Sequence, residues 1–237
     1  MNNKNVTVYI PCFNEEKNIS TLVKTWDKAI SDFQNINVLF INNGSSDTTM
    51  EMLKYNIKAS YNENLSCFDI KTNKGYGYGI LEGITNDDST HICWTHADLQ
   101  FRAQDVVEII NKYLKNPADW KVYKGQRTTR SLYDTIFTNL MSFIGIFFKR
   151  AYISDINAQP KIFPRTIFNL ISSWPTDFLL DAHLLYESKK HKFEIVNEKI
   201  ELMPRFQEEA KGGGTLKGKI KLSLSSVKYF LGLYEKY

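Results

Sequence analysis

The chain has 237 residues, 43% of them hydrophobic, and a formal charge of +4 from 30 Lys and Arg against 26 Asp and Glu. That length suits one α/β core, the composition excludes a disordered chain, and the charge is too mild for a nucleic-acid partner, which demands a strong basic stripe. No apolar run reaches the ~20 residues of a membrane-spanning helix, the longest being Leu140 to Phe148, and the polar start Met1 to Asn5 lacks the pattern of a signal peptide.

In chain order, Val6 to Ile10 reads as a strand and Glu16 to Ser31 as a helix. A second strand is expected over Val38 to Ile41, and a helix over Asp47 to Tyr55 with Ser46 as its N-cap. Phe68 to Lys71 reads as a third strand, Tyr78 to Ile84 as a helix, and His91 to Trp94 as a fourth strand. Helices are expected over Phe178 to Lys189 and Leu216 to Tyr234, around a strand at Phe193 to Leu202. Continuous apolar strands alternating with helices predict a doubly wound, mostly parallel sheet, whose ligands bind beyond the carboxyl ends of the strands. Of the three cysteines, Cys12 and Cys93 sit in apolar runs and read as buried free thiols suited to a reducing compartment.

The loops after the strands carry the polar residues. In Pro11-Cys12-Phe13-Asn14-Glu15-Glu16, Pro11 ends the strand and Asn14 can cap the next helix. In Asn42-Asn43-Gly44-Ser45-Ser46-Asp47, Gly44 permits a sharp turn, and the short side chains can bind a nucleoside or form an N-cap turn. Taken singly, the residues leave both readings open.

Taken together, four ordered segments resemble family 2 glycosyltransferases. Val8-Tyr9-Ile10-Pro11-Cys12-Phe13-Asn14-Glu15 is similar to the family's apolar-apolar-Pro-x-apolar-Asn-Glu opening, and Asn42-Asn43-Gly44-Ser45-Ser46-Asp47-Thr48-Thr49 to its Asp-Asp-Gly-Ser-x-Asp-x-Thr segment. Asn73-Lys74-Gly75-Tyr76-Gly77 resembles its Asn-x-Gly-x-Gly element, and His96-Ala97-Asp98-Leu99-Gln100 its Asp-Ala-Asp-x-Gln metal loop. The resemblance implies a GT-A (Rossmann-like) α/β fold with a nucleotide-sugar-binding half (1–125) and a helical acceptor-side half (126–237). It implies that Pro11, Asn14, Glu15, Asn43 and Ser45 line the nucleoside pocket, and that Lys74 lies near the diphosphate, where Gly75 and Gly77 admit the backbone. It places Asp98, with His96 and Gln100, around Mg²⁺ or Mn²⁺. The chain departs from the pattern where Asn42 and Asn43 replace two acids and His96 replaces the first acid of the metal loop. Imidazole suits Mn²⁺ better than Mg²⁺, so the metal preference shifts unless His96 is only a loop residue.

Downstream, Gly125-Gln126-Arg127 and Asp155-Ile156-Asn157-Ala158-Gln159-Pro160-Lys161 resemble the subgroup that glycosylates polyprenyl phosphates, as does Arg205 followed by Ala210-Lys211-Gly212-Gly213-Gly214. In that subgroup's image Arg127, Gln159, Lys161, Arg205 and Lys211 surround the acceptor phosphate, with Arg127 and Lys161 also catalytic. A cationic pocket is needed to bring two anionic substrates together. A lipid phosphate arrives ionised, whereas a hydroxyl acceptor needs a base, for which Asp155 is the candidate. Asp177, Asp181 and His183 read as helix caps or supporting groups. The aromatic stripe Tyr133 to Phe148 can face a core or lie in one leaflet, and Lys217, Lys219, Lys221 and Lys228 can attract anionic lipid or simply face water. The expected location is cytoplasmic, peripheral on the inner face of the membrane. Three readings stand: an inverting transferase acting on a polyprenyl phosphate, the same donor chemistry with a saccharide hydroxyl acceptor, and a non-catalytic nucleotide-sugar-binding protein. The sequence is silent on oligomeric state.

Overall fold

The computed structural model describes residues 5–116, 118–128 and 153–204. The stripe at 133–148, the helix expected at 216–234, Arg205 and Lys211 lie outside the described residues. Seven strands are present: β1 (Val6–Cys12), β2 (Ile36–Asn43), β3 (Leu65–Ile70), β4 (His91–Trp94), β5 (Lys121–Arg127), β6 (Lys161–Pro164) and β7 (Glu194–Ile200). The helices are α1 (Glu16–Ile30), α2 (Thr49–Ser60), α3 (Tyr76–Thr85), α4 (Ala103–Lys115), α5 (Arg165–Leu170) and α6 (Leu180–Lys190).

All seven strands form one sheet in the order β3-β2-β1-β4-β6-β5-β7. The pairs β2–β3, β1–β2, β1–β4 and β5–β7 are parallel, whereas β6 runs antiparallel to both β4 and β5. The chain winds outward through β1, β2 and β3, then returns to place β4 on the other side of β1. That reversal opens a crevice at the carboxyl ends of the strands, where ligands of such sheets bind.

Each face of the sheet carries its own core. On one side α1 presents Ile19, Leu22, Val23, Trp26 and Ile30, and α4 presents Val106, Val107, Ile109, Ile110 and Tyr113. That spacing gives each helix one apolar stripe, and burying each large side chain is worth roughly 1.5–3 kcal/mol. On the other side Ile80 and Ile84 of α3, Ile167 of α5 and Leu180, Leu184 and Leu185 of α6 pack against Tyr9, Ile41, Trp94 and Phe163. Helices on both faces leave β1 buried on both sides, which is why it reads as Val-Thr-Val-Tyr-Ile without alternation.

Several boundaries differ from the sequence expectation. Strand β1 runs through Pro11 to Cys12, pairing Pro11 with Ile41. The β4 pairing stops at Tyr9, so Pro11 lies beyond it and interrupts no ladder on that side. Helix α2 starts at Thr49 rather than Asp47, and Ser46 does not cap it: Asp47 Oδ1 accepts the Thr49 N–H at 3.0 Å instead. Asn14 does not cap α1 either, because its side-chain oxygen is drawn to the Ser46 N–H. Elements α4, β5, β6 and α5 were not anticipated. Cys12 and Cys93 are buried free thiols, as expected, while Cys67 is half-buried.

Candidate active site

At the carboxyl ends of β1 and β2 the two following loops are laced together. Asn14 sits in the left-handed region (φ 53°). Its N–H donates to Ser45 Oγ at 2.9 Å, and its Oδ1 accepts the Ser46 N–H at 2.8 Å. The Glu15 N–H donates to Thr49 Oγ1 at 2.8 Å, and Glu16 Oε2 accepts the Thr48 hydroxyl at 2.8 Å. Asn14, Glu15 and Glu16 of one loop are therefore tied to Ser45, Ser46, Thr48 and Thr49 of the other.

Asn42 and Asn43 point to opposite faces of β2. Asn43, 2% exposed, lies beneath α3 and donates to the Gly75 carbonyl at 2.9 Å; among the described residues its buried Oδ1 has no partner. Helix α3 approaches so closely that a β-carbon on Gly79 would stand 2.8 Å from Asn43 Cγ. Asn42 instead accepts the Ser45 N–H at 3.3 Å and donates to Asp69 Oδ1 at 2.7 Å, while Asp69 Oδ2 pairs with Lys71 at 2.5 Å. Hydrogen bonds from Lys71 first and Asn42 second hold the Asp69 carboxyl below its usual range. Asn42 lies inside the Asn42 to Thr49 segment, beside the Asn43 expected at the nucleoside pocket. Asp69 carried no signal, since its role depends on a neighbouring strand.

The start of α3 faces a distant segment. Gly75 has φ 123°, and a β-carbon there would meet the Thr176 carbonyl oxygen at 2.3 Å. One on Gly77 would stand 2.6 Å from the Pro175 oxygen and 2.8 Å from that of Asp177. The Tyr78 N–H donates to Thr176 O at 2.8 Å. The close approach that Gly75 and Gly77 allow within the protein is to the loop before α6. Lys74 lies over the Tyr78 ring, 5.0 Å from its centroid. Tyr76 stacks on Phe178 at 5.1 Å and lies 5.4 Å from His96. Burial, then the charges of Asp181 and Asp98, push its phenol well above the ordinary value.

Asp98 and His96 follow β4, the strand across the crevice from β2. Asp98 Oδ1 accepts the Gln100 N–H at 3.1 Å, and the Gln100 side chain donates to the Met203 carbonyl at 3.3 Å. No group of three or more His, Cys, Asp or Glu able to hold a metal occurs among the described residues. One carboxylate and one imidazole do not make a closed metal cage. They fit a cation that takes its remaining ligands from substrate phosphates and water.

Around the 155–161 segment the charges of the described residues are paired internally. Asp155, 1% exposed and in the left-handed region, accepts from the Arg127 backbone N–H at 2.8 Å and from its guanidinium Nε at 2.9 Å and Nη2 at 2.5 Å. A carboxylate so enclosed orients the arginine and offers no oxygen to solvent for a base. Lys161 is fully buried, donating to the Ala158 carbonyl at 2.6 Å and pairing with Asp181 at 3.3 Å. Burial depresses its pKa even against the pull of Asp181. Gln159, also fully buried, donates to both Asp181 oxygens at 3.2 and 3.0 Å. Asp181 further accepts the Trp94 indole N–H at 2.8 Å. Lys124, opposite Lys161 on β5, is buried too and donates to the carbonyls of Gly125 and Asp155. Lys161 and Gln159 therefore support the 155–160 loop from within.

A doubly wound sheet whose loops are laced together at its switch point defines an α/β protein with a crevice of the kind that takes a ligand. The family model for glycosyl transferase family 2 matches residues 7–169, and the chain belongs to that family. A 4,4'-diaponeurosporenoate glycosyltransferase from Staphylococcus aureus is 28% identical over 152 residues, 61% of this chain and 38% of the relative, so the match spans well under two thirds of that protein. The fold is that of GT-A glycosyltransferases. Glucosyl-3-phosphoglycerate synthase from Mycobacterium tuberculosis, solved with Mn²⁺, uridine diphosphate and glucosyl-3-phosphoglycerate, superposes with a TM-score of 0.74 at 12% identity, covering 98% of this chain and 81% of that one. A mannosyltransferase from Pyrobaculum calidifontis, solved with GDP-mannose and Mn²⁺, gives a TM-score of 0.66 at 15% identity over 98% of this chain and 65% of that one.

Proposed function

We propose that this chain is an inverting glycosyltransferase that moves a sugar from a nucleotide-sugar donor to a polyprenyl phosphate. The observation that carries the donor half is the lacing of Asn14, Ser45, Ser46 and Thr49 across the ends of β1 and β2, opposite Asp98. Relatives bound to uridine diphosphate or GDP-mannose on the same fold support it.

In this reading Pro11, Asn14, Glu15 and Ser45 shape the nucleoside site, and Lys74 offsets diphosphate charge. Asp98 and His96 would hold Mg²⁺ or Mn²⁺, and the chemistry such a cation supplies is neutralisation of the charge that develops on the departing diphosphate. Arg127, oriented by Asp155, faces the incoming acceptor. An acceptor already ionised at pH 7 needs no base, so positioning and electrostatics suffice. This accords with the enclosed Asp155. Two relatives carry acids in their names or complexes, diaponeurosporenoate and phosphoglyceric acid, which supports an anionic acceptor. With Lys161 paired internally, the phosphate would fall to Arg127, Arg205 and Lys211. The stripe at 133–148 would bring the lipid from the membrane surface; among the described residues no helix is long and apolar enough to cross a membrane.

The test is nucleoside-diphosphate release from a panel of sugar nucleotides, with and without a short polyprenyl phosphate, in Mn²⁺, Mg²⁺ or chelator. Release that requires both the lipid phosphate and a divalent cation is expected. Release with saccharides alone would replace the acceptor by a hydroxyl, and donor binding without release under any condition would remove the catalytic reading.

A further inference from the structure

The acid missing at Asn42 reappears one strand away. Asn42 and Asp69 are register partners on β2 and β3, joined at 2.7 Å. Asn42 Oδ1 is already engaged by the Ser45 N–H, and Ser45 Oγ holds the Asn14 N–H. A hydrogen-bonded chain Asn14–Ser45–Asn42–Asp69–Lys71 thus crosses the carboxyl ends of β1, β2 and β3. An Asp at position 42 would set two carboxylates face to face at this distance, where both cannot stay ionised. With Asn at 42, Asp69 is the one carboxylate of this hydrogen-bonded chain and can stay ionised there.

The Asp69 side chain is 26% exposed and that of Lys71 88%, so their ion pair is open to a ligand. Exposed pairs contribute little to stability and are readily rearranged. Asp69 is acceptor-only when ionised and Lys71 is donor-only. Side by side they complement a ring N–H next to a keto oxygen, the edge that uracil and guanine present. Cytosine and adenine present the reverse, a bare ring nitrogen next to an amino group.

We propose that Asp69, assisted by Lys71, reads the donor's nucleobase and selects a keto base with a ring N–H over cytosine or adenine. This rests on the nucleotide-sugar reading above and assigns the specificity of that same site.

The experiment is calorimetric titration of UDP, GDP, CDP and ADP, with Mn²⁺, into the wild-type chain and three variants. The wild type is expected to bind UDP or GDP at least about tenfold more tightly than CDP and ADP, the scale of one hydrogen bond to a charged group. Asp69→Asn is expected to abolish that preference, and Asn42→Asp with Asp69→Asn to restore it by returning the acid to β2. Lys71→Met, altering a side chain that barely packs, is expected to weaken the preference in a fold-neutral background. A wild type that binds none of the four would overturn the donor reading itself. Equal binding of all four, an undiminished preference in Asp69→Asn or Lys71→Met, or a double variant no better than Asp69→Asn would overturn the base-reading role alone.

Discussion

Asp87 joins three segments at the end of the sheet away from the crevice. It accepts the Tyr9 hydroxyl at 2.5 Å and the Ser89 N–H at 3.2 Å, with Arg165 at 3.7 Å. Burial alone would raise its pKa, but the hydrogen bonds from Tyr9 and Ser89 outweigh burial and leave it below the ordinary value. A carboxyl depressed in the folded state contributes stability above its unfolded pKa of about 3.9, and that contribution is lost as pH falls. Asp87→Asn should cost about 1–3 kcal/mol at pH 7, toward the lower end because 29% of the side chain still meets water. Urea unfolding at pH 7 and again near pH 3.5 should show the gap between wild type and variant closing in acid; a gap that is constant with pH would refute the assignment. At this same scale the sequence was least legible. Lys124 and Lys161 look like surface residues and are fully buried, because Lys124 finds the Asp155 carbonyl of a distant loop and Lys161 finds the nearby Ala158 carbonyl and the distant Asp181 carboxylate.

Among the secondary-structure elements, contacts between backbones decide what a glycine is for. A β-carbon on Gly125 of β5 would stand 1.9 Å from the Gln159 carbonyl oxygen, and the Gly125 N–H donates to Pro160 O at 2.9 Å. On Gly83 of α3 it would crowd side chains rather than backbone, the end of Ile41 at 2.6 Å and the Tyr9 ring at 3.1 Å. Side-chain ends rotate and backbones do not, so Gly125→Ala should destabilise by roughly 2–3 kcal/mol or more. Gly83→Ala should cost about 1 kcal/mol or less, since alanine recovers helix propensity. Thermal melts of the two variants would check the order, and equal losses would contradict it. Strands β1, β2 and β4 are readable because they are buried on nearly every residue, whereas β3, Leu-Ser-Cys-Phe-Asp-Ile, shows only its last residues. Helix α4 carries an equally clear stripe, with Val106, Val107, Ile110 and Tyr113, that was there to be read. Strands β5 and β6, Lys-Val-Tyr-Lys-Gly-Gln-Arg and Lys-Ile-Phe-Pro, were hidden by charged residues and a proline that only tertiary pairing tolerates.

For the whole molecule, a ligand that binds only the folded chain must raise its melting temperature. At one hundred times its dissociation constant a nucleoside diphosphate adds about 2.7 kcal/mol, which for a chain of this size means a shift on the order of 5–10 °C. UDP or GDP with Mn²⁺ should produce that shift in a thermal melt, and chelator should withdraw much of it; an unmoved melting curve at saturating nucleotide would sink the donor site. The sheet shows no seam near residue 125, the border that the resemblance implies between donor and acceptor halves. Strand β6 lies between β4 and β5, bonded to both, and the loop at 175–177 rests on the glycines of α3. A chain cut near residue 125 would part β4 from its neighbour β6 and bare the glycines of α3, so neither piece would carry a complete sheet of its own.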